Sequence, residues 1–142
     1  MKYMGSKNRI AKHLLPIMLA ECEKHGITKW VEPFIGGANM IDKVPDTFDR
    51  VGYDLNEYII EMFKSLQQGF TPKDLYTKAE YDHTKNNKDE NKALTGYIGI
   101  NCSYSGKWFG GYAGVTSTKG GIRNYKRKLK ETYSNRSKAY RV

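Results

Sequence analysis

The chain has 142 residues, of which 39% are hydrophobic, and its 24 Lys/Arg against 15 Asp/Glu give a formal net charge of +9. This composition predicts a folded domain rather than a disordered one, and no apolar run approaches the ~18 residues of a membrane span. The two cysteines and three histidines have no ligand spacing, and the N-terminus lacks a signal-peptide core, so we expect a cytoplasmic protein without a metal ion or membrane partner.

The first predicted element is a helix over about residues 6–23. Ser6 can cap its start, and Gly26 follows its end. Pro16 lies inside it and predicts a kink. Apolar side chains at helical spacing form one stripe, namely Ile10, Leu14, Ile17, Met18 and Cys22.

A buried strand over about residues 29–35 leads into a Gly-Gly turn, and a second short strand over about 50–54 ends at Asp54, eighteen residues past Gly36. A short helix over about 38–44 is expected between them. In doubly wound α/β folds this layout binds a nucleoside-bearing cofactor, because glycines let the backbone approach the ligand and the acid accepts hydrogen bonds from the ribose. The alternative is a glycine turn that simply ends a core strand.

The turn narrows the class of cofactor. Residues 34–39 do not satisfy G-x-G-x-x-G, and the chain contains no G-x-x-x-x-G-K-[ST] phosphate loop. A cofactor without a pyrophosphate, such as S-adenosylmethionine, therefore fits better than a dinucleotide.

Helices and loops are predicted for the rest of the chain. Asn56 can cap a helix to about Gln68, and Thr71-Pro72 is expected to open another, since proline is favoured at the first helical position. A polar loop over 84–92 precedes a helix over about 90–102. Residues 103–125 are rich in glycine and aromatic residues and are interpreted as a loop-rich surface element.

Four segments recur in one family in the same order. They are Lys2-Tyr3-Met4-Gly5-Ser6-Lys7, Glu32-Pro33-Phe34-Ile35-Gly36-Gly37, Tyr53-Asp54-Leu55-Asn56 and residues 101–112. These resemble the K-[YW]-x-G-[SG]-K opening, the E-P-F-x-G-[AG] cofactor loop, the [AY]-D-x-N segment and the start of the target-recognition region of Dam-like DNA adenine methyltransferases of the phage type. The resemblance covers roughly residues 1–125 and implies an incomplete, Rossmann-like S-adenosylmethionine-dependent methyltransferase fold.

The resemblance also implies the site residues. The cofactor-binding set is Tyr3, Lys7, Pro33, Phe34, Gly36, Gly37 and Asp54. Lys7 would pair with the cofactor carboxylate and Asp54 with the ribose. The alternatives are a solvated lysine at a helix start and a turn residue at a strand end, and Asn56 is interpreted as a helix cap rather than a ligand.

Basic residues near the C-terminus predict contacts with double-stranded DNA. The DNA-binding set is Lys107, Trp108, Lys119, Arg123, Lys126 and Arg127. Residues 122–142 contain eight Lys/Arg and one acidic residue, a charge that attracts phosphates without regard to sequence. The alternative for the aromatic residues of 103–125 is a small cluster that packs the loop.

The predicted organisation has three parts. Residues 1–70 are the cofactor-binding part, residues 71–125 the helical start of the target-recognition region, and residues 126–142 a basic tail. The family pattern is expected to stop near residue 125, as a shortened or frame-disrupted gene would cause.

The resemblance implies a site-specific DNA adenine methyltransferase, of restriction–modification or phage type, that transfers a methyl group from S-adenosylmethionine to the exocyclic amine of adenine. Family members carry [DNS]-P-P-[YFW] at a later strand, whereas no proline here is followed by another, the four being Pro16, Pro33, Pro45 and Pro72. We therefore expect a truncated form that is inactive alone, which leaves open whether the chain is an enzyme. The alternatives are a non-catalytic remnant that binds DNA or cofactor, and one half of a split methyltransferase.

A sheet with only two strands also predicts association. We expect a homo-oligomer, a complementing catalytic fragment, or a C-terminal segment that fills the gap. The helix faces around Leu14 and Phe63 are expected to lack part of their cover.

Overall fold

The computed structural model describes residues 1–124 and 141–142. Its helices are α1 (Asn8–Lys24), α2 (Glu57–Gln67), α3 (Lys78–Asn86) and α4 (Lys92–Asn101), and single 3-10 turns span Ile41–Lys43 and Tyr104–Gly106. Its strands are β1 (Lys29–Glu32), β2 (Asp49–Gly52), β3 (Val115–Thr118) and β4 (Gly121–Asn124). None of the helices in this part of the chain combines the length and apolar character needed to cross a bilayer.

The two predicted strands form a small parallel sheet. Val31 of β1 lies opposite Val51 of β2. The pairing continues past the strands, because the Tyr53 N–H donates to the Glu32 carbonyl and the Ile35 N–H donates to the Tyr53 carbonyl, both at 2.8 Å. The carboxyl ends of the two strands therefore meet at one edge of the sheet. The mixture of helices with this sheet is compatible with an α/β methyltransferase fold.

The last two residues of the chain lie beside β2. Arg141 forms a parallel bridge with Val51, its N–H donates to the Arg50 carbonyl, and its carbonyl accepts from the Gly52 N–H, both at 2.9 Å. The Arg141 guanidinium also donates to the Asp49 carboxylate at 2.6 and 2.7 Å. Arg141 thus pairs with the outer edge of β2, and the expectation that a C-terminal segment fills the gap stays a prediction, because residues 125–140 lie outside the described residues.

The apolar stripe of α1 faces solvent. The helix begins at Asn8 with Lys7 at the N-cap position, one residue later than the predicted cap Ser6, and continues on both sides of Pro16. It buries Ala11 and Leu15, whereas the predicted stripe is 39–65% exposed at Ile10, Leu14, Ile17 and Met18. In the sheet, β1 pairs with β2 alone within the described residues, and the Val31 side chain is 49% exposed.

Helices α2 and α4 form the centre of the core. The backbones approach closely at Gly96, where a Cβ atom would lie 2.0 Å from the Tyr58 carbonyl oxygen. The predicted apolar face of α2 is buried, and Phe63 is only 2% exposed. The expectation that Phe63 would lack cover is therefore wrong, because α4 packs along that face.

The helix predicted at Thr71-Pro72 is not formed. The next helix, α3, begins at Lys78 and is capped by Thr77, whose hydroxyl accepts from the Glu80 N–H at 3.2 Å. The Glu80 carboxylate accepts in turn from the Thr77 N–H at 2.7 Å, completing a capping box that places the helix start six residues further on. Hydrogen bonds from the Lys73 ammonium first, and then from Thr77, lower the pKa of Glu80 to about 2.

The remaining predicted helices differ in their agreement with the structure. Those after Asn56 and over about 90–102 are confirmed as α2 and α4. Asn56 holds the N-cap position of α2, but its side chain makes no cap hydrogen bond. The helix predicted over 38–44 is reduced to the turn Ile41–Lys43.

Candidate functional site

A cavity of about 300 Å³ lies at the carboxyl ends of β1 and β2. Its volume is at the lower end of the range of small-molecule sites. Residues from three separate parts of the chain line it: Tyr3, Gly5, Ser6, Lys7, Glu32, Phe34, Ile35, Gly36, Gly37, Asn39, Asp54 and Leu55. The structure thus brings together six of the seven predicted cofactor residues and places Pro33 outside the wall.

A lysine and a glutamate form an ion pair in the wall. The Lys7 ammonium donates to the Glu32 carboxylate at 3.0 Å and to the Phe34 carbonyl at 2.6 Å. The Glu32 side chain is 7% exposed, and its other oxygen accepts from the Ile41 N–H at 2.9 Å. Because a lysine ammonium has three N–H donors, Lys7 retains one for a ligand.

Asp54 connects the end of β2 to the glycine turn. One carboxylate oxygen accepts from the Gly36 N–H and the other from the Asn56 N–H, both at 2.9 Å. These bonds are those of a strand-end turn residue, which was the alternative to a ribose ligand. The two roles are compatible, because a carboxylate offers about four lone-pair positions.

The glycine turn is pressed against Tyr3. Gly36 has φ +48°, and a Cβ atom there would lie 2.9 Å from the Tyr3 ring. A Cβ at Gly37 would lie 2.8 Å from the Tyr3 Cβ. Both positions therefore require glycine because the N-terminal segment packs against them. The close approach of their backbone to a ligand stays a prediction. Burial, and then the charge of Asp54, raises the pKa of Tyr3.

Several wall residues were missed by the sequence analysis. Asn39 donates from its side-chain amide to the Met1 carbonyl and to the Ser6 hydroxyl, both at 2.8 Å. Glu32 could have been found from its position, since a carboxylate that ends a buried strand requires a partner. Leu55 is 96% exposed at the cavity, and no local pattern distinguishes it from a surface leucine.

Three of the predicted DNA-binding residues, Lys107, Trp108 and Lys119, lie outside this cavity wall. Lys107 and Lys119 are exposed, and Trp108 is half-buried. The Trp108 ring stacks on Tyr58 at 5.6 Å between centroids and meets the Phe109 ring edge-on at 4.9 Å. Trp108 therefore belongs to the aromatic cluster that was the alternative interpretation.

The other basic residues of the DNA-binding set are only partly covered by the structure. Arg123 lies on β4. Lys126 and Arg127 lie outside the described residues. Their predicted DNA contacts remain predictions.

The family model of the D12 class N6 adenine-specific DNA methyltransferases matches residues 3–140. The chain belongs to this family. The match extends past residue 125, so the prediction that the family pattern stops there is wrong. That prediction depended on the amino-acid composition of the tail, and composition does not show whether residues follow a family's pattern position by position. The searches of curated proteins and of solved structures gave no significant match.

The D12-class assignment supports DNA adenine methylation as the kind of function. Methyltransferases of this class generally use S-adenosylmethionine and act on DNA. The cavity is thus a candidate cofactor site, and Tyr3 to Lys7, the glycine turn and Asp54 are its candidate residues.

Proposed function

We propose that the chain is the S-adenosylmethionine-binding part of a site-specific DNA adenine methyltransferase with a Rossmann-like fold, and that the cofactor binds in the cavity at the ends of β1 and β2. The observation that carries the proposal is the convergence of Lys7, the glycine turn and Asp54 on one cavity. The reaction of the complete enzyme would be methyl transfer from the cofactor sulfonium to the exocyclic amine of adenine in double-stranded DNA.

The donors and acceptors of the cavity match the two ends of this cofactor. The remaining N–H of Lys7 suits the carboxylate of the methionine end, and the remaining lone pairs of Asp54 suit the ribose hydroxyls. The exposed apolar side chains of Phe34 and Leu55 offer contact surface for the adenine ring. Bound S-adenosylmethionine supplies the methyl group, while these residues bind and orient it.

The residues that would accept the target adenine are not recognised in this chain. None of the four prolines is followed by a second one, so the Asp-Pro-Pro-Tyr type of motif is not among the 142 residues. We therefore propose that the chain binds cofactor and transfers no methyl group on its own, as in a truncated enzyme. The alternative is a protein that binds cofactor or DNA and catalyses no reaction.

A split methyltransferase is the second candidate, and one surface favours it. The outer edge of β1 is unpaired within residues 1–124 and 141–142, and the α1 stripe is exposed as well. Exposed strand edges pair readily with a further strand. A complementing fragment, or a second copy of the isolated chain, would cover this surface.

Sedimentation velocity at micromolar concentration tests the self-association. We expect the wild type to sediment as a dimer or larger species, and Ile17→Asp to shift it towards monomer. Leu75→Asp is the matched control, because Leu75 is 52% exposed in the segment between α2 and α3. A monomeric wild type would contradict the expected coverage by a second copy.

Calorimetric titration with S-adenosylmethionine and its demethylated product tests the cofactor proposal. Asp54→Ala should weaken binding by about 1–3 kcal/mol, the cost of an unmade buried hydrogen bond. Asp46→Ala removes the same charge from an exposed position and should bind as the wild type does. No binding by the wild type would refute the proposal, and equal affinity of the wild type and Asp54→Ala would remove Asp54 from the site.

A further inference from the structure

The N-terminal segment, residues 1–7, lies between the cavity and the loop of residues 103–112. On the loop side, the Met4 N–H donates to the Gly106 carbonyl at 3.1 Å. Gly106 has φ +67°, and a Cβ atom there would lie 2.6 Å from the Lys2 carbonyl oxygen and 2.9 Å from the Tyr3 nitrogen. The backbone at Gly106 is therefore in direct contact with residues 2–4.

On the cavity side, the same segment holds the candidate cofactor residues. The Tyr3 ring lies against Gly36, and the Ser6 hydroxyl accepts from the Asn39 amide at 2.8 Å. Lys7 follows directly and donates to Glu32 at 3.0 Å. A displacement of residues 2–4 would therefore move groups in the cavity wall.

The loop itself is held in place by α3 and α4. The Tyr81 hydroxyl accepts from the Gly111 N–H at 3.2 Å and forms a hydrogen bond with the Ser103 hydroxyl at 2.9 Å. The Ser103 hydroxyl donates to the Gly99 carbonyl at 2.7 Å. Because both ends of the loop are held by buried side chains, Gly106 gives the N-terminal segment a fixed contact.

We propose that Gly106 is a positioning residue that sets the place of Tyr3 and Lys7 and so couples the loop of residues 103–112 to cofactor affinity. The inference rests on the proposed function and goes beyond it, since Gly106 does not line the cavity. Coupling between two sites is reciprocal. Cofactor binding should therefore stabilise the loop, and a phosphate contact made by Lys107, the next residue, should alter cofactor affinity.

The test compares Gly106→Ala with Gly120→Ala by calorimetric titration with S-adenosylhomocysteine. Alanine at 106 meets the backbone of residues 2 and 3 and disfavours a positive φ. We expect about tenfold weaker binding, a loss of about 1.4 kcal/mol. A Cβ atom at Gly120 would meet nothing within 4 Å, so the control should bind as the wild type does.

Amide hydrogen exchange on the wild type provides a second readout. When the cofactor is bound, exchange at the Met4 N–H and at the amides of residues 104–107 should slow by more than exchange in α3, which does not line the cavity, because ligand binding slows exchange through global unfolding everywhere. This measurement decides the question if Gly106→Ala does not fold. Two results would overturn this inference and leave the proposed function standing. One is that the wild type binds cofactor with exchange at these amides slowed no more than in α3, and the other is that Gly106→Ala binds cofactor as tightly as Gly120→Ala. Wild type that binds no cofactor would overturn the proposed function and the inference with it.

Discussion

Replacement of Lys7 by methionine should destabilise the fold by leaving Glu32 buried without its cation. Methionine retains the length of the side chain but removes the ammonium that bridges the Glu32 carboxylate and the Phe34 carbonyl. The carboxylate then keeps the hydrogen bond from the Ile41 N–H. The change therefore tests whether the N-terminal segment is held to the end of β1 by this ion pair.

The magnitude follows from the burial of the two partners. Removing one member of a fully buried ion pair costs about 3–5 kcal/mol, and a hydrogen bond to a charged group is worth about 1.5–3 kcal/mol. The Glu32 side chain is 7% exposed, but that of Lys7 is 37% exposed, so water reaches one side of the pair. We therefore expect the free energy of unfolding to fall by about 1–3 kcal/mol, which is less than the cost for a fully buried ion pair because water screens the Lys7 side of this one.

Urea denaturation measures this loss as a shift of the midpoint on the order of 1 M. Lys12→Met is the matched control, because Lys12 is exposed on α1, the helix that Lys7 precedes. The double variant Lys7→Met/Glu32→Gln should lose less than the sum of the two single variants, since the glutamine oxygen still accepts from Ile41 without a buried charge. Equal stability of Lys7→Met and Lys12→Met, or strict additivity in the double variant, would show that the ion pair does not hold the N-terminal segment to β1.

Three further changes have defined outcomes. Gly96→Ala should cost about 1–3 kcal/mol in urea denaturation through contact with the Tyr58 carbonyl, whereas Gly120→Ala should cost less than about 0.5 kcal/mol. The pKa of Glu80 is about 2 in the folded protein, below its unfolded value, so its contribution to stability is present above pH ~4.5 and is lost as the pH falls towards 2. Glu80→Gln should therefore reduce the loss of stability in acid. A carboxyl NMR titration midpoint near 4.5 for Glu80 would contradict the lowered pKa. Deletion of residues 126–142 should flatten the dependence of log K on log salt for DNA binding by about 0.9 per lost phosphate contact, and an unchanged slope would assign the tail another role.

The sequence predicted those parts of the cavity wall that depend on the spacing of residues within one segment of the chain. A strand, a glycine turn and an acid at fixed spacing predicted that Gly36 and Asp54 would meet, and a 2.9 Å hydrogen bond joins them. Spacing alone did not show that the Gly36 turn receives Tyr3, because that contact depends on how the N-terminal segment folds back. The Lys2–Gly106 contact joins residues about a hundred positions apart and leaves no periodic trace in the sequence.

The helices show the same division between local and tertiary information. Periodicity located α1 and α2, but it could not say which apolar face receives a neighbour. Phe63 is covered by α4, whereas Ile17 is 65% exposed. The helix expected at Thr71-Pro72 is not formed: the Thr71 hydroxyl donates back to the Gly69 carbonyl at 3.3 Å, and the reciprocal capping box at Thr77 starts the helix instead. Trp108 stacks on Tyr58 of α2, a contact that no local pattern predicted, and its contact with DNA stays a prediction.

A crystal structure of the chain with S-adenosylhomocysteine is the most direct test of the cofactor site, because it locates the ligand atoms relative to the cavity wall. We expect the nucleoside in the cavity at the ends of β1 and β2, with a ribose hydroxyl within about 3.2 Å of the Asp54 carboxylate and the ligand carboxylate at hydrogen-bond distance from the Lys7 ammonium. A ligand bound elsewhere on the chain, or one in this cavity that contacts neither Asp54 nor Lys7, would contradict it.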